Sequence, residues 1–249
     1  MKQKKSVYLG NNSLDEVTLP RYKEYDYKSP ESIYNHSKKL IDKSMRELYP
    51  SLIRKAQEGN GLNQKNTGLL GNMVELYHYG KVPDNLDRPD FPNAGEHGCE
   101  LKCTGIKAGA SEAKELLRIT KININNVTSF ETFYAKLQLI VIIFYKYEKN
   151  ILKQDLKFIK SLLFELKKSV NKTTMNDIKQ DFYKILELMK AGKTKDIRSQ
   201  TKVLEAGTQG GKGDVNKRAF YLKKDFVTAI YNKKNLKTIT DDKEYSGST

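Results

Sequence analysis

The stretch "KLQLIVIIFYKY" (136–147) constrains the fold more than any other part of the chain. Its apolar residues run on without alternating, so a strand built from them is apolar on both faces. Such a strand is expected to be central and buried, and the run "LIVIIFY" (139–145) is far too short to cross a bilayer. Two further strands are predicted upstream, "CELKCTGI" (99–106) and "LLRITKININ" (116–125). Helical patterns flank them. Ser29 is placed to cap a helix, Pro30 suits its first turn and Glu31 its positive end, with Ile33, Leu40, Ile41 and Met45 as the apolar stripe. "LLGNMVELYHYG" (69–80) reads as a short helix that carries Glu75 and stops at Gly80. "DIKQDFYKILELMKAG" (177–192) reads as an amphipathic helix with Ile178, Phe182, Ile185, Leu186 and Met189 on one side and Gly192 as its stop. "EGNGLNQKNTG" (58–68) and "EAGTQGGKGDVNKR" (205–218) read as loops, and "AFYLKKDFVTAIY" (219–231) as a strand edge running into a helix.

The 249 residues suffice for one well-buried domain. The expected organisation is an arm over 1–28, a single domain over 29–235 and a frayed tail over 236–249. Lys and Arg exceed Asp and Glu by 45 to 30, a formal charge of +15 that attracts polyanions. Nucleic acid is the leading partner, although a lysine-rich chain with solvated helix faces carries the same excess. Cys99 and Cys103 offer no disulfide framework, and "MKQKKSVYLG" lacks the apolar stretch of a signal peptide. Both features point to the cytoplasm and away from a membrane.

The chemistry concentrates in "PDFPNAGEHGCELKC" (89–103). On a strand, Glu100 and Lys102 face one side while Cys99, Leu101 and Cys103 face the other. Asp90 precedes them by a turn and can return beside Glu100. Two adjacent carboxylates repel unless a positive charge sits between them, and Mg²⁺ with its oxygen ligands meets that need. Bound Mg²⁺ polarises a phosphoryl oxygen and acidifies water, and a neighbouring lysine positions that water. Asp…Glu-x-Lys is frequent by chance in lysine-rich chains, so its surroundings decide. Competing signals are weak. His97, Cys99 and Cys103 fall on one extended segment with no second pair to complete a zinc tetrahedron. His78 is expected to be structural and His36 to face solvent. "GTQGGKG" lacks the Gly-Lys-Ser/Thr ending of a phosphate loop, so no nucleotide cofactor is expected.

"PDFPNAGEHGCELKCTG" resembles the Pro-Asp-Phe…Ala-Gly-Val-Glu-Leu-Lys segment of the MutH family, which joins a mismatch-repair nicking endonuclease to type II restriction enzymes that cut GATC. "GLLGNMVELYHYG", "AKELLRITKININN", "FYAKLQLIVIIFYKY", "IKQDFYKILELMKAGKTKDI", "LEAGTQGGKG" and "KRAFYLKKDFVTAI" resemble further segments in the family's order, over roughly 30–235. The resemblance implies an α/β fold of the PD-(D/E)XK restriction-endonuclease type, a mixed central sheet flanked by helices and a two-lobed DNA cleft. It implies Mg²⁺ as cofactor, double-stranded DNA as partner, and a possible homodimer on DNA. Asp90, Glu100 and Lys102 correspond to the catalytic core, Asp90 and Glu100 to the metal ligands. Glu75 corresponds to a helix-borne acid and Lys136 to a lysine at the head of the central strand. Thr208, Gln209, Gly210, Lys212, Arg218, Tyr221, Lys223 and Lys224 correspond to the DNA-binding segments. Two departures stand out: "EHG" (96–98) is inserted before the strand, which leaves the register of Asp90 open, and Cys99 replaces Val. The loop "AGTQGGKG" is closer to the restriction branch. A type II enzyme cutting at a short site such as GATC is therefore expected ahead of a nickase or a non-catalytic DNA-binding module.

Overall fold

The computed structural model describes residues 24–59, 61–83, 86–122, 129–208 and 218–233, and the backbone of two short strands, β1 (Val7–Tyr8) and β2 (Ser13–Leu14). These two pair antiparallel within the expected arm, and the expected tail 236–249 lies outside the described residues. Tyr25 already belongs to the core: it is buried, and its hydroxyl donates to the Tyr79 carbonyl at 2.9 Å.

Helices come first along the chain: α1 (Pro30–Ser37), α2 (Met45–Leu48), α3 (Pro50–Glu58) and α4 (Leu69–Met73), the last continuing as a π turn, Val74–His78. Next are β3 (Glu100–Lys107), β4 (Leu117–Ile122), α5 (Phe130–Gln138), β5 (Leu139–Tyr147), β6 (Phe158–Glu165) and α6 (Leu166–Ser169). The chain then forms α7 (Lys172–Lys190), α8 (Ile197–Gln200), β7 (Leu204–Thr208), β8 (Arg218–Leu222) and α9 (Lys224–Tyr231). Helix α1 starts as its sequence predicts, with the Ser29 hydroxyl accepting from the Ser32 amide at 3.1 Å. Helix α7 starts earlier than expected because the Asn171 side chain accepts from the Thr174 amide at 2.8 Å and caps it.

The mixed sheet has the order β3-β5-β6, with β3 parallel and β6 antiparallel to β5. Its central strand is the apolar run, buried on both faces. Ile140, Ile142 and Phe144 enter one core cluster together with α5 and α7 residues such as Phe133 and Phe182. Val141, Ile143 and Tyr145 enter the other with Ile33 of α1 and Leu70 of α4. The strand predicted over 116–125 does not join this sheet: β4 pairs with β8, and β8 with β7, in a separate antiparallel sheet of order β4-β8-β7. The loop expected over 205–218 begins as strand β7, with Ala206 opposite Phe220. Glycine composition concealed it, yet Gly207 serves the strand, since a Cβ there would lie 2.8 Å from the Tyr221 ring.

Two positional expectations change. Lys136 does not head the central strand. Ser129 caps α5 by accepting from the Thr132 amide at 3.1 Å, Lys136 occupies the last turn, and β5 follows directly at Leu139. His36 does not face solvent: it is buried and stacked between Tyr25 and His78, with centroids 4.6 and 4.2 Å away. Among the described residues no helix is long and apolar enough to cross a membrane.

Candidate active site

The inserted "EHG" sits inside a closed turn. Phe91 and Cys99 exchange two backbone hydrogen bonds, each 2.9 Å, so the seven intervening residues are looped out. Gly98 makes the closure possible at φ +79°, where a Cβ would lie 3.0 Å from the Phe91 carbonyl and from Pro89. With the turn pinned, Asp90 and Glu100 stand side by side in defined register. The Asp90 amide donates to Glu100 Oε2 at 3.2 Å, and Asp90 Oδ2 accepts from the Leu101 amide at 2.9 Å.

Lysines hold the remaining carboxylate oxygens. Lys102 Nζ donates to Glu100 Oε1, and Lys136 Nζ lies 4.0 Å from the same oxygen while donating to the Leu86 carbonyl at 3.1 Å. Glu75 is aimed at this group by the π turn, in which the Tyr79 amide donates to the Val74 carbonyl at 3.1 Å. Between Glu75 and Asp90 stands Lys81, its Nζ 3.1 Å from Asp90 Oδ1 and 3.5 Å from Glu75 Oε2. Sequence reasoning missed Lys81. The available signal was its place directly after Gly80, whose φ of +66° ends the helix and lets the Lys81 amide donate to the Glu75 carbonyl at 2.8 Å.

The side chain of Glu100 is 2 % exposed and that of Lys102 is 20 % exposed, so charge here is poorly screened by water. Burial and then the Asp90 charge push Glu75 up to about 7, against the pull of Lys81. Burial raises Glu100 as well, with Lys102 opposing. Burial works against the Lys102 ammonium, but the carboxylates of Glu100 and Asp90 outweigh it and Lys102 titrates above an ordinary lysine. Burial is thus the leading cause of both raised carboxyls, with the neighbouring Asp90 charge adding to it.

The group opens into a cleft of about 680 Å³ lined by β3, β4 and α4, with Lys136 and Tyr221 at its wall. Its donors to a cation are carboxylate oxygens, which suit a hard ion such as Mg²⁺. Among the described residues no three Asp, Glu, His or Cys side chains form a ready-made metal cage. That is compatible with Mg²⁺, which keeps several waters and takes oxygens from substrate phosphates. Among the described residues the soft candidates are otherwise engaged: burial pushes the Cys99 thiol up to about 12, the Cys103 thiol is raised too, and His97 pairs with Glu96 at 3.5 Å.

The positions matched to DNA-binding segments divide. Tyr221 is half-buried and borders the cleft, and Thr208 stands opposite Arg218 at the end of β7. Arg218 Nη1 donates to the Ala206 carbonyl at 3.1 Å. Lys223 turns inward, donating to the carbonyls of Arg198, at 2.9 Å, and Thr201, whereas Lys224 is exposed at the start of α9. Gln209, Gly210 and Lys212 lie outside the described residues.

Residues 79–181 match the family model MutH, described as DNA mismatch repair enzyme MutH. The matched segment contains Asp90, Glu100, Lys102 and Lys136 and the whole mixed sheet, while Glu75 and the strands β7 and β8 lie outside it. No curated protein matches the chain. The match bears out the resemblance carried by "PDFPNAGEHGCELKC": over residues 79–181 the chain is similar to the MutH-like nucleases, a family of DNA endonucleases.

Proposed function

We propose that the protein is a Mg²⁺-dependent type II endonuclease that hydrolyses phosphodiester bonds in double-stranded DNA at a short site, GATC being the first candidate. One observation carries the reading: Asp90, Glu100 and Lys102 are brought together at the edge of the mixed sheet, with the Glu100 carboxylate on the Asp90 amide and the Asp90 carboxylate on the Leu101 amide. In this reading Asp90 and Glu100 hold the cation, which when bound polarises the phosphoryl oxygen and acidifies water. Lys102 orients the attacking water along the face of β3 and stabilises charge as the new P–O bond forms and the ester P–O bond breaks. Glu75 supplies further negative charge next to Asp90, and Lys136 faces the scissile phosphate from α5. Tyr221, Thr208 and Arg218 line the duplex at the second sheet, and Lys224 contacts its backbone, with Gln209, Gly210 and Lys212 as reading-loop candidates. The restriction branch is preferred because "AGTQGGKG" is closer to it, with two copies meeting on a palindrome in the cytoplasm.

The test is incubation of supercoiled unmethylated plasmid with protein and Mg²⁺ beside Lys102→Ala, followed by sequencing of the ends. Linear fragments ending at GATC are expected, and the variant should lose at least about 10²-fold in rate. The description of the matched family makes a mismatch-repair nickase the second reading. Open circles alone would select it, and plasmid that is shifted yet uncut in Mg²⁺ would overturn both in favour of a binding module.

A further inference from the structure

Asp90 and Glu100 are wired alike. Each has one oxygen on a backbone amide: Asp90 Oδ2 accepts from Leu101, and Glu100 Oε2 accepts from Asp90. In each the other oxygen faces a lysine: Glu100 Oε1 faces Lys102, and Asp90 Oδ1 faces Lys81. Lys81 therefore stands on the one Asp90 oxygen that the backbone does not use. Its side chain is only 11 % exposed, and its own amide is tied to the Glu75 carbonyl, so the chain delivers the ammonium to this place. The same ammonium reaches Glu75 Oε2. Three carboxylates, Glu75, Asp90 and Glu100, are thus faced by three lysines, 81, 102 and 136.

We propose that Lys81 is a built-in counter-ion, a positioning residue that holds Glu75 and Asp90 together in the metal-free protein and competes with a divalent cation for Asp90 Oδ1. The inference rests on the nuclease reading above, in which Asp90 is a cation ligand. A cation that approaches Asp90 meets an ammonium already on the available oxygen, so binding in the absence of DNA is weak. Phosphate oxygens of a bound duplex add negative charge and tip the competition toward the cation. Loading of the cation is thereby coupled to the presence of DNA.

The experiment is calorimetric titration of DNA-free, full-length protein with Ca²⁺, alongside thermal melting, for wild type, Lys81→Met, Lys81→Arg and Asp90→Asn. Removing one positive charge at contact distance should tighten Ca²⁺ binding by Lys81→Met about tenfold, whereas Lys81→Arg stays near wild type. The melting midpoint of metal-free Lys81→Met should drop by about 10 °C, because two partly buried carboxylates lose their partner, and saturating Ca²⁺ should restore most of it. A purely structural lysine would lower the midpoint without tightening Ca²⁺. Should Lys81→Met fail to fold, the pair Glu75→Gln and Glu75→Gln/Lys81→Met carries the same comparison with one carboxylate fewer. Equal or weaker Ca²⁺ binding by the Lys81→Met protein, with binding still abolished by Asp90→Asn, overturns the inference and leaves the nuclease reading standing. Absence of Ca²⁺ binding in every variant, with or without DNA, overturns both.

Discussion

A histidine that donates from Nε2 to a carbonyl and accepts at Nδ1 is neutral, and His78 is held in that state. It donates to the His36 carbonyl at 3.0 Å and accepts from the Tyr49 hydroxyl at 2.7 Å, while His36 donates back to the His78 carbonyl at 3.0 Å. Burial first, and then the neighbouring His36, push His78 down to about 3, and burial lowers His36 as well. The folded pKa lies below the ordinary 6.5, so the unfolded chain takes up its proton first as pH falls. The stabilising contribution of His78 is complete above pH 6.5 and is lost progressively toward about 3. Melting of wild type and His78→Gln across pH should accordingly show their largest gap above pH 6.5 and a narrowing one below it; a constant gap would refute the neutral assignment. The spacing 33, 36, 37, 40 does place His36 on the inner face of the first helix, but its polar identity favoured solvent in the sequence reading.

Strand β7 depends on a helical residue 23 positions before its first residue in a way no local pattern announces. Asp181, on the buried side of α7, accepts from the amides of Lys202, Val203 and Leu204 at 3.0, 2.6 and 2.8 Å. One carboxylate thus satisfies the amides at the start of the strand. Burial raises its pKa, and those amide donors pull it back down. Asp181→Ala strands these donors and should cost roughly 3 kcal/mol in denaturant unfolding, whereas Asp181→Asn keeps one acceptor oxygen and should cost about 1 kcal/mol. Equal costs would mean that the carboxylate does not organise the strand. The sequence reading puts Lys136 at the head of the strand over 136–147; the Ser129 cap and the packing of Phe133 and Leu137 into the core hold it in a helix instead.

At the scale of the molecule, the two sheets place Lys102 of β3 and Tyr221 of β8 around one cleft on a chain of net charge +15. In the proposed function the two exposures at β8 and α9 divide the labour. Tyr221 borders the cleft and so acts on the bound site, while Lys224 is exposed and so acts on any duplex. Tyr221→Phe should reduce cleavage of the true site about tenfold with little change in non-specific binding. Lys224→Ala should weaken both and lower the salt dependence of binding by roughly one counter-ion. Matching effects of the two changes, in cleavage and in salt-dependent binding assays, would remove this assignment.

Some features were written into the sequence because short-range physics suffices for them. The unalternating run 139–145 has no stable place except at the centre of a sheet, the Ser29-Pro30 start needs only its own turn, and strand parity alone puts Glu100 and Lys102 on one face. Other features needed the folded chain. Whether "EHG" displaced Asp90 depended on the Phe91–Cys99 pairing and on Gly98 at positive φ, which a linear pattern does not contain. The split into two sheets depended on β8 choosing β4 and β7 as partners, and the place of Lys81 depended on Glu75 and Asp90 converging from segments 15 residues apart. Charge attraction across such distances is decided by tertiary position, because a lysine looks the same in sequence whether it meets water or two partly buried carboxylates.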